Sequence, residues 1–339
     1  MRFLPGSQAR RVALFALFVL LEANGTNPQS RFYGSPDNEV SSNDLGLPLS
    51  FERHTGDLAG MIQRQEIRAL VLYSRPGFFY IDGRPEGIYY EALRTFEQFV
   101  NQTLYTWRHV QVTFIPLRPD KMETALMQGV GDLIAYGVAV TPEREQQVTF
   151  SDAIISDAKQ IVVGAKKFGS ISNCEELSGK KIFVNPLTTY AQSLEKVNGV
   201  LRARGKPPIL IETADKSLLD ADLMEMVNAG LIPATVTITL RANLWSKVFN
   251  SITPFTNVVV GNDGDLAFAM RKDSPKLKEL VNTFIRTRAV GTAFGNTLVL
   301  QYLQSAQYVK DAISESEIKK FNDTQQYLRN SPVSTASTI

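Results

Sequence analysis

Cysteine is almost missing from this sequence: Cys174 is the single one among 339 residues. One thiol excludes an internal disulfide and any zinc site built from cysteines. Histidine is nearly as scarce, and His54 and His109 are too few and too scattered for a metal cluster. No cofactor is therefore expected. An excess of charge of one sign is lacking too, since 36 basic residues face 34 acidic ones and leave a formal net charge of +2. Such a balance carries no electrostatic footprint for nucleic acid or an acidic membrane, and no nucleic-acid partner is expected. The apolar run at residues 12–21 is shorter than the roughly 20 residues a membrane helix needs. Catalytic signatures are missing as well: there is no G-x-S-x-G elbow, no H-E-x-x-H helix and no G-x-x-x-x-G-K phosphate loop.

What is present is the balance of a globular protein, 44% hydrophobic and 21% charged, long enough for one large domain or two lobes. Arg2, Arg10 and Arg11 precede the apolar run at 12–21, the charge and length of a secretory signal. Residues 1–23 read as a signal peptide cleaved after Ala23, with an uncleaved signal-anchor as the alternative, and place the protein in the periplasm. No cysteine follows the run, which argues against a lipoprotein anchor. Residues 24–56 read as a linker and 323–339 as a polar, disordered tail.

The informative stretch is 131–154. Leu133, Ile134, Tyr136, Val138 and Val140 form an apolar run bounded by Gly131 and Thr141-Pro142, which suits a strand covered on both faces. A helical turn is predicted directly after it. Thr141 is a good N-cap, Pro142 fits the first helical position, and Glu143 and Glu145 complement the positive end of the dipole. Arg144 works against that dipole, so either solvent screens it or a carboxylate meets it.

Elsewhere, strands predicted at 67–73, 110–116, 133–140, 160–166, 179–184, 209–213 and 234–240 interleave with helices predicted at 57–64, 87–101, 121–129 and 220–230, and with one opening near Tyr190. Helices at 275–287 and 292–303 complete the pattern, which is that of parallel βαβ units. The 67–73 strand ends at the sheet's carboxyl edge, where open α/β sheets bind ligands. Tyr73, Phe79 and Tyr80 are thus pocket candidates, with plain core aromatics as the alternative. Thr188 and Thr189 stand at a predicted helix start, either as part of an anion site or as ordinary caps.

The segment Gly137-Val-Ala-Val-Thr141-Pro-Glu-Arg144, followed by Phe150-Ser151-Asp152, resembles the signature of the family 3 periplasmic solute-binding proteins, in which T-x-x-R leads into F-S-x-x-Y. The resemblance runs from about residue 57 to 321. Leu72-Tyr-Ser-Arg-Pro-Gly-Phe-Phe-Tyr80, Met224-Glu-Met-Val-Asn-Ala-Gly230, Gly291-Thr-Ala-Phe-Gly295 and Ile318-Lys-Lys-Phe321 resemble the solute-binding-like domain of the membrane-bound lytic transglycosylase F group. The resemblance implies a type II periplasmic-binding fold of class α/β: two lobes, each an open, mostly parallel sheet flanked by helices, hinged by two crossover segments. Lobe 1 is expected at 57–162 and 257–322, lobe 2 at 163–256.

The same resemblance implies that Arg144 clamps a ligand carboxylate, with Ala139 and Thr141 in its neighbourhood. Amino-acid binders of the family carry serine or threonine at the place of Ala139, and an aspartate near the end of the second-lobe strand that here reads Thr237-Ile238-Thr239. Without that acid, burying a ligand ammonium costs several kcal/mol. The expected ligand is a small molecule with a carboxylate and no exposed ammonium, such as an N-acylated peptide or a cell-wall fragment. The implied function is a binding or sensory protein, not an enzyme, with a membrane transporter or cell-wall enzyme as partner. Two alternatives remain: a lyase resembling cyclohexadienyl dehydratase, for which Glu91 is the one candidate acid or base, and a regulatory domain without ligand. The lysozyme-like domain of the transglycosylase group has no counterpart before residue 339, so no glycosidase activity is expected.

Overall fold

Asp57 opens the first helix and also fastens the last third of the chain. In a computed structural model of the protein, which describes residues 52–81, 83–104 and 108–305, its Oδ1 accepts from Leu58 N at 2.7 Å and from Leu277 N at 2.9 Å. Helix α1 (Leu58–Arg64) leads into β1 (Glu66–Leu72), which is buried at every position after Glu66. The two-residue hairpin β2 (Phe79–Ile81) and β3 (Arg84–Glu86) turns at Gly83; Asp82, the other predicted turn residue, lies outside the described residues. Then come α2 (Ile88–Leu104), β4 (Gln111–Leu117), α3 (Met122–Met127), β5 (Leu133–Ala139), the short α4 (Pro142–Glu145) and β6 (Val148–Ile155).

The next block contains β7 (Lys159–Ala165), β8 (Lys181–Val184), α5 (Tyr190–Ala203), β9 (Leu210–Thr213), α6 (Asp220–Asn228), β10 (Ala234–Ile238), α7 (Thr239–Trp245) and β11 (Ile252–Asn262). The chain returns through β12 (Leu266–Arg271) and α8 (Pro275–Phe284), a π-helical turn at Ile285–Ala289, α9 (Ala293–Leu298) and a second π-helical turn at Val299–Gln304. Helix α7 and strand β6 are not foreseen in the sequence. The two long helices predicted near the end are each shorter, because their last turns widen to π geometry.

Two five-stranded sheets result, in the orders β4-β1-β5-β12-β6 and β11-β7-β10-β8-β9. In the first, β12 alone runs against its neighbours; in the second, β7 does. Each sheet is thus mixed, with four strands in one direction and one against them, and α1, α2 and α8 cover one face of the first through a core that includes Met61, Phe96 and Phe284.

The crossings correct the expected lobe boundaries. Strands β7 and β11 pair at both ends within the second sheet, with register shifts between Pro254 and Val259 and between Val259 and Gly261, so the chain changes lobe at 156–158 and 263–265, not at 162 and 257. Ile161 to Val163 bury their side chains against second-lobe neighbours, and splitting such a strand would expose its ladder. At the crossings the two segments are joined, Ala158 N donating to Gly264 O at 3.0 Å and Asp263 N to Ala158 O at 2.9 Å.

Gly129 ends α3 with φ +74°, and a Cβ there would lie 2.5 Å from the carbonyl oxygen of His54. Gly129→Ala should therefore cost about 1–3 kcal/mol, read as a melting point several degrees lower. Gly83 shares φ +74° but stands in open space, so Gly83→Ala should cost only the backbone strain. Equal losses in the two variants would show that the contact with His54 carries nothing.

Candidate functional site

The parallel strands of both lobes end at one cavity of about 560 Å³, which residues of both lobes line. Arg144 is placed there by α4. Thr141 caps that turn, its Oγ1 accepting from Arg144 N at 3.3 Å, and Pro142 takes the first helical position. The side chain then spans the lobes: Nη1 donates to Ala139 O at 3.0 Å, and Nη2 to Leu187 O at 2.7 Å on the opposite lobe. Both possibilities left open for this cation are realised in part. Glu123 Oε1 lies 3.4 Å from Nε, while about a quarter of the Arg144 side chain remains exposed.

The second lobe contributes a polar cluster that sequence reading misses. Asp220, at the start of α6, is 9% exposed, and its Oδ2 accepts from Tyr190 Oη at 2.9 Å, Thr237 Oγ1 at 2.7 Å and Arg241 Nη1 at 2.7 Å. Burial works against the Arg241 charge, but the adjacent Asp220 carboxylate outweighs it and holds the guanidinium protonated. Asp263, in the returning crossover, accepts from Thr189 Oγ1 and from Gln160 Nε2, the latter at 2.7 Å. Burial raises its carboxyl above the ordinary value in spite of those hydrogen bonds. Tyr136 on β5 also lines the cavity, and burial pushes its hydroxyl up to about 12, so it stays a neutral donor at physiological pH.

Of the residues singled out from sequence, Arg144, Ala139, Thr188 and Thr189 line this cavity. Thr188 and Thr189 are committed locally, Thr188 Oγ1 donating to Asn185 O at 2.7 Å and Thr189 to Asp263. Thr141 acts through its cap on Arg144 and does not itself line the cavity. Tyr73 and Tyr80 stack with ring centroids 6.4 Å apart, but they face outward, 57% and 44% exposed. Phe79 packs behind the cavity wall in an apolar cluster with Leu298 and Tyr302. None of the three lines the cavity; Phe79 and Tyr80 are carried away from the sheet's edge by the hairpin, and Tyr73 lies just beyond the end of β1.

Glu91 also stands outside the wall, on α2, where burial and then the charge of Glu86 raise its carboxyl above the ordinary value. Glu91→Gln should leave ligand affinity unchanged, as titration calorimetry would show; a tenfold loss would place Glu91 in the site. The absence of an acid at the end of β10 is correct locally but not for the cleft, since Asp220 and Asp263 arrive from other elements. Arg241 and Asn185 each follow the carboxyl end of a second-lobe strand, and that rule would have pointed to them.

Comparison with known proteins agrees with this geometry. Residues 67–290 match the family model of bacterial extracellular solute-binding proteins, family 3. The membrane-bound lytic murein transglycosylase F of Desulfosudis oleivorans is 29% identical over 165 residues, which are 49% of this chain and 34% of that protein. The chain thus matches about a third of that relative's length. Among solved structures, an ancestral amino-acid-binding protein described as a precursor of cyclohexadienyl dehydratase is 22% identical, with a TM-score of 0.59, over 74% of this chain and all of that one. The amino acid ABC transporter substrate-binding protein of Streptococcus pneumoniae, bound to L-arginine, is 16% identical with a TM-score of 0.61, over 74% of this chain and 99% of that one. At such identities the structures establish the fold, which is the type II periplasmic-binding fold. The match across the two sheets and the crossovers between them shows that this chain belongs to the bacterial extracellular solute-binding proteins, family 3.

Proposed function

We propose that this protein closes its two lobes on a small solute bearing a carboxylate, with Arg144 as the clamp. One observation carries the reading: the guanidinium lies in the cavity wall and holds backbone carbonyls of both lobes, so a carboxylate arriving there meets a cation already oriented by each side. Arginine has five N–H donors in a planar fork, and these contacts leave one on each terminal nitrogen for a two-pronged pairing. Its present counter-charge, Glu123, is 52% exposed, so a ligand can displace that carboxylate into water at little cost.

A second reading, a free amino acid, is favoured by Asp263, whose carboxylate could meet an ammonium in the same cavity. Under either reading the chain is exported to the periplasm and serves a transporter or a cell-wall enzyme. Family membership and the likeness to transglycosylase F support this. Among the described residues no helix is long and apolar enough to cross a membrane. Calorimetry with N-acetylated and free forms of the same amino acids separates the two ligands. Heat with the acetylated forms alone supports the first, and heat with the free forms alone supports the second. Binding that Arg144→Ala leaves intact would remove the clamp from both.

A further inference from the structure

The cavity is larger and far more apolar than its charged groups require. At about 30 Å³ per water its 560 Å³ hold roughly nineteen water-sized groups, whereas a large free amino acid such as arginine has only about a dozen heavy atoms. The surplus has a distinct wall. Residues 284–303 contribute a long stretch of it, in which Asn296 alone carries a polar side chain. Ile285, Val299 and Leu303 from this segment face the same space as Ile88 and Ala92 of α2 and Trp245 of α7.

The segment is held over the cleft from both sides. Leu298 and Tyr302 pack with Phe79 and the α2 residues Ile88 and Ala92, and Leu303 packs on the second-lobe cluster that contains Trp245. Lys247 Nζ donates to Gln304 O at 2.8 Å, which ties its end to the second lobe. The charged side chains of the lining, among them Arg144, Asp220, Arg241 and Asp263, all come from outside this segment, and Arg75 stands over the Phe79 ring at 5.5 Å. A ligand filling this cavity therefore meets an ionic wall and an apolar one, and an apolar wall favours a ligand part that removes it from water.

We propose that the ligand is an amphiphilic carboxylate, with its head on Arg144 and an alkyl or aryl tail against α2, α7 and residues 284–303. This rests on the carboxylate reading above and adds the chemical class of the remainder. The test is calorimetry of the full chain with butanoate, hexanoate and octanoate, with octylamine as a chain of equal length without the carboxylate. Affinity should rise about fourfold per added methylene, the factor expected for burying one CH₂ group. Octylamine should not bind, and Arg144→Ala should weaken binding of every member of the series about thirtyfold or more. Ala92→Phe, which extends a ring into the apolar part, should bring octanoate down to the affinity of butanoate in the unaltered protein, with the melting point checked to show that the variant is folded. Arg144-dependent binding that is flat with chain length overturns this inference and leaves the carboxylate reading standing. Equal binding of octylamine and octanoate overturns the carboxylate head, and with it both statements. No binding of any chain overturns both as well.

Discussion

Asp132→Ala should lower the melting point by about 6–20 °C, the result of losing about 3–5 kcal/mol at about 2–4 °C for each. The carboxylate is fully buried and is shared by three guanidinium groups, of which Arg271 also meets Asp273 at 3.5 Å. Arg68 reaches it with Nη2 at 3.0 Å and with its backbone N–H at 2.8 Å, Arg64 at 2.5 Å and Arg271 at 3.3 Å. The same arginines bind the chain around them. Arg68 donates to Glu52 O and His54 O, and Arg271 to Leu126 O and Gly131 O. Removing the carboxylate takes a buried counter-charge from three neighbouring cations at once, which costs far more than one hydrogen bond. A loss under 1 kcal/mol in a denaturant titration would refute this account.

The same group sets a pH dependence. Burial alone would raise the Asp132 carboxyl, but the hydrogen bonds and charge of Arg68, with the charge of Arg64, outweigh it and hold it below its ordinary value. A depressed folded value means that the unfolded chain takes up the proton first as pH falls. The stabilisation is then complete above about pH 4 and is lost as pH falls through the folded value. Melting curves at descending pH should show this loss in the native protein and lack this component in Asp132→Asn.

Arg144→Ala should weaken binding of a carboxylate ligand by about 2–4 kcal/mol, roughly thirty- to several-hundred-fold in the dissociation constant. Truncation removes both prongs of the pairing and the contact to Leu187 O, so it takes away the ligand's counter-charge and one tie between the lobes. Arg144→Lys should recover only part of the loss, because an ammonium keeps the charge without the planar fork. Calorimetry with the best carboxylate of the panel measures both variants. An alanine variant that binds as well as the native chain would place the ligand's anionic end elsewhere.

Much of this protein is decided locally, and the sequence shows it. The Thr141-Pro142 start of α4, the glycine end of α3 and the apolar runs of β1, β5 and β10 depend on near neighbours along the chain. These govern backbone preference and hydrogen bonding within a few residues. Arg144 belongs to the same class, since the turn that presents it is written in the four residues around it. The α/β class and the two-lobed order follow from the succession of such units.

What only the tertiary structure decides is which distant groups meet. Asp132 and Arg271 are 139 residues apart in the chain, and Thr189 and Asp263 are 74 apart. No periodicity marks such pairs, because the partner that satisfies a buried charge is chosen by sheet order and not by spacing. Tyr73 and Tyr80 show the reverse. Their position after a strand at the carboxyl edge makes them pocket candidates, yet Tyr80 is turned to solvent by the hairpin register and Tyr73 stacks on it there. The apolar wall of the cavity is of the same kind: residues 284–303 read as the end of one helix and the whole of the next, and only their docking across α2 and α7 makes them a surface that a ligand can meet.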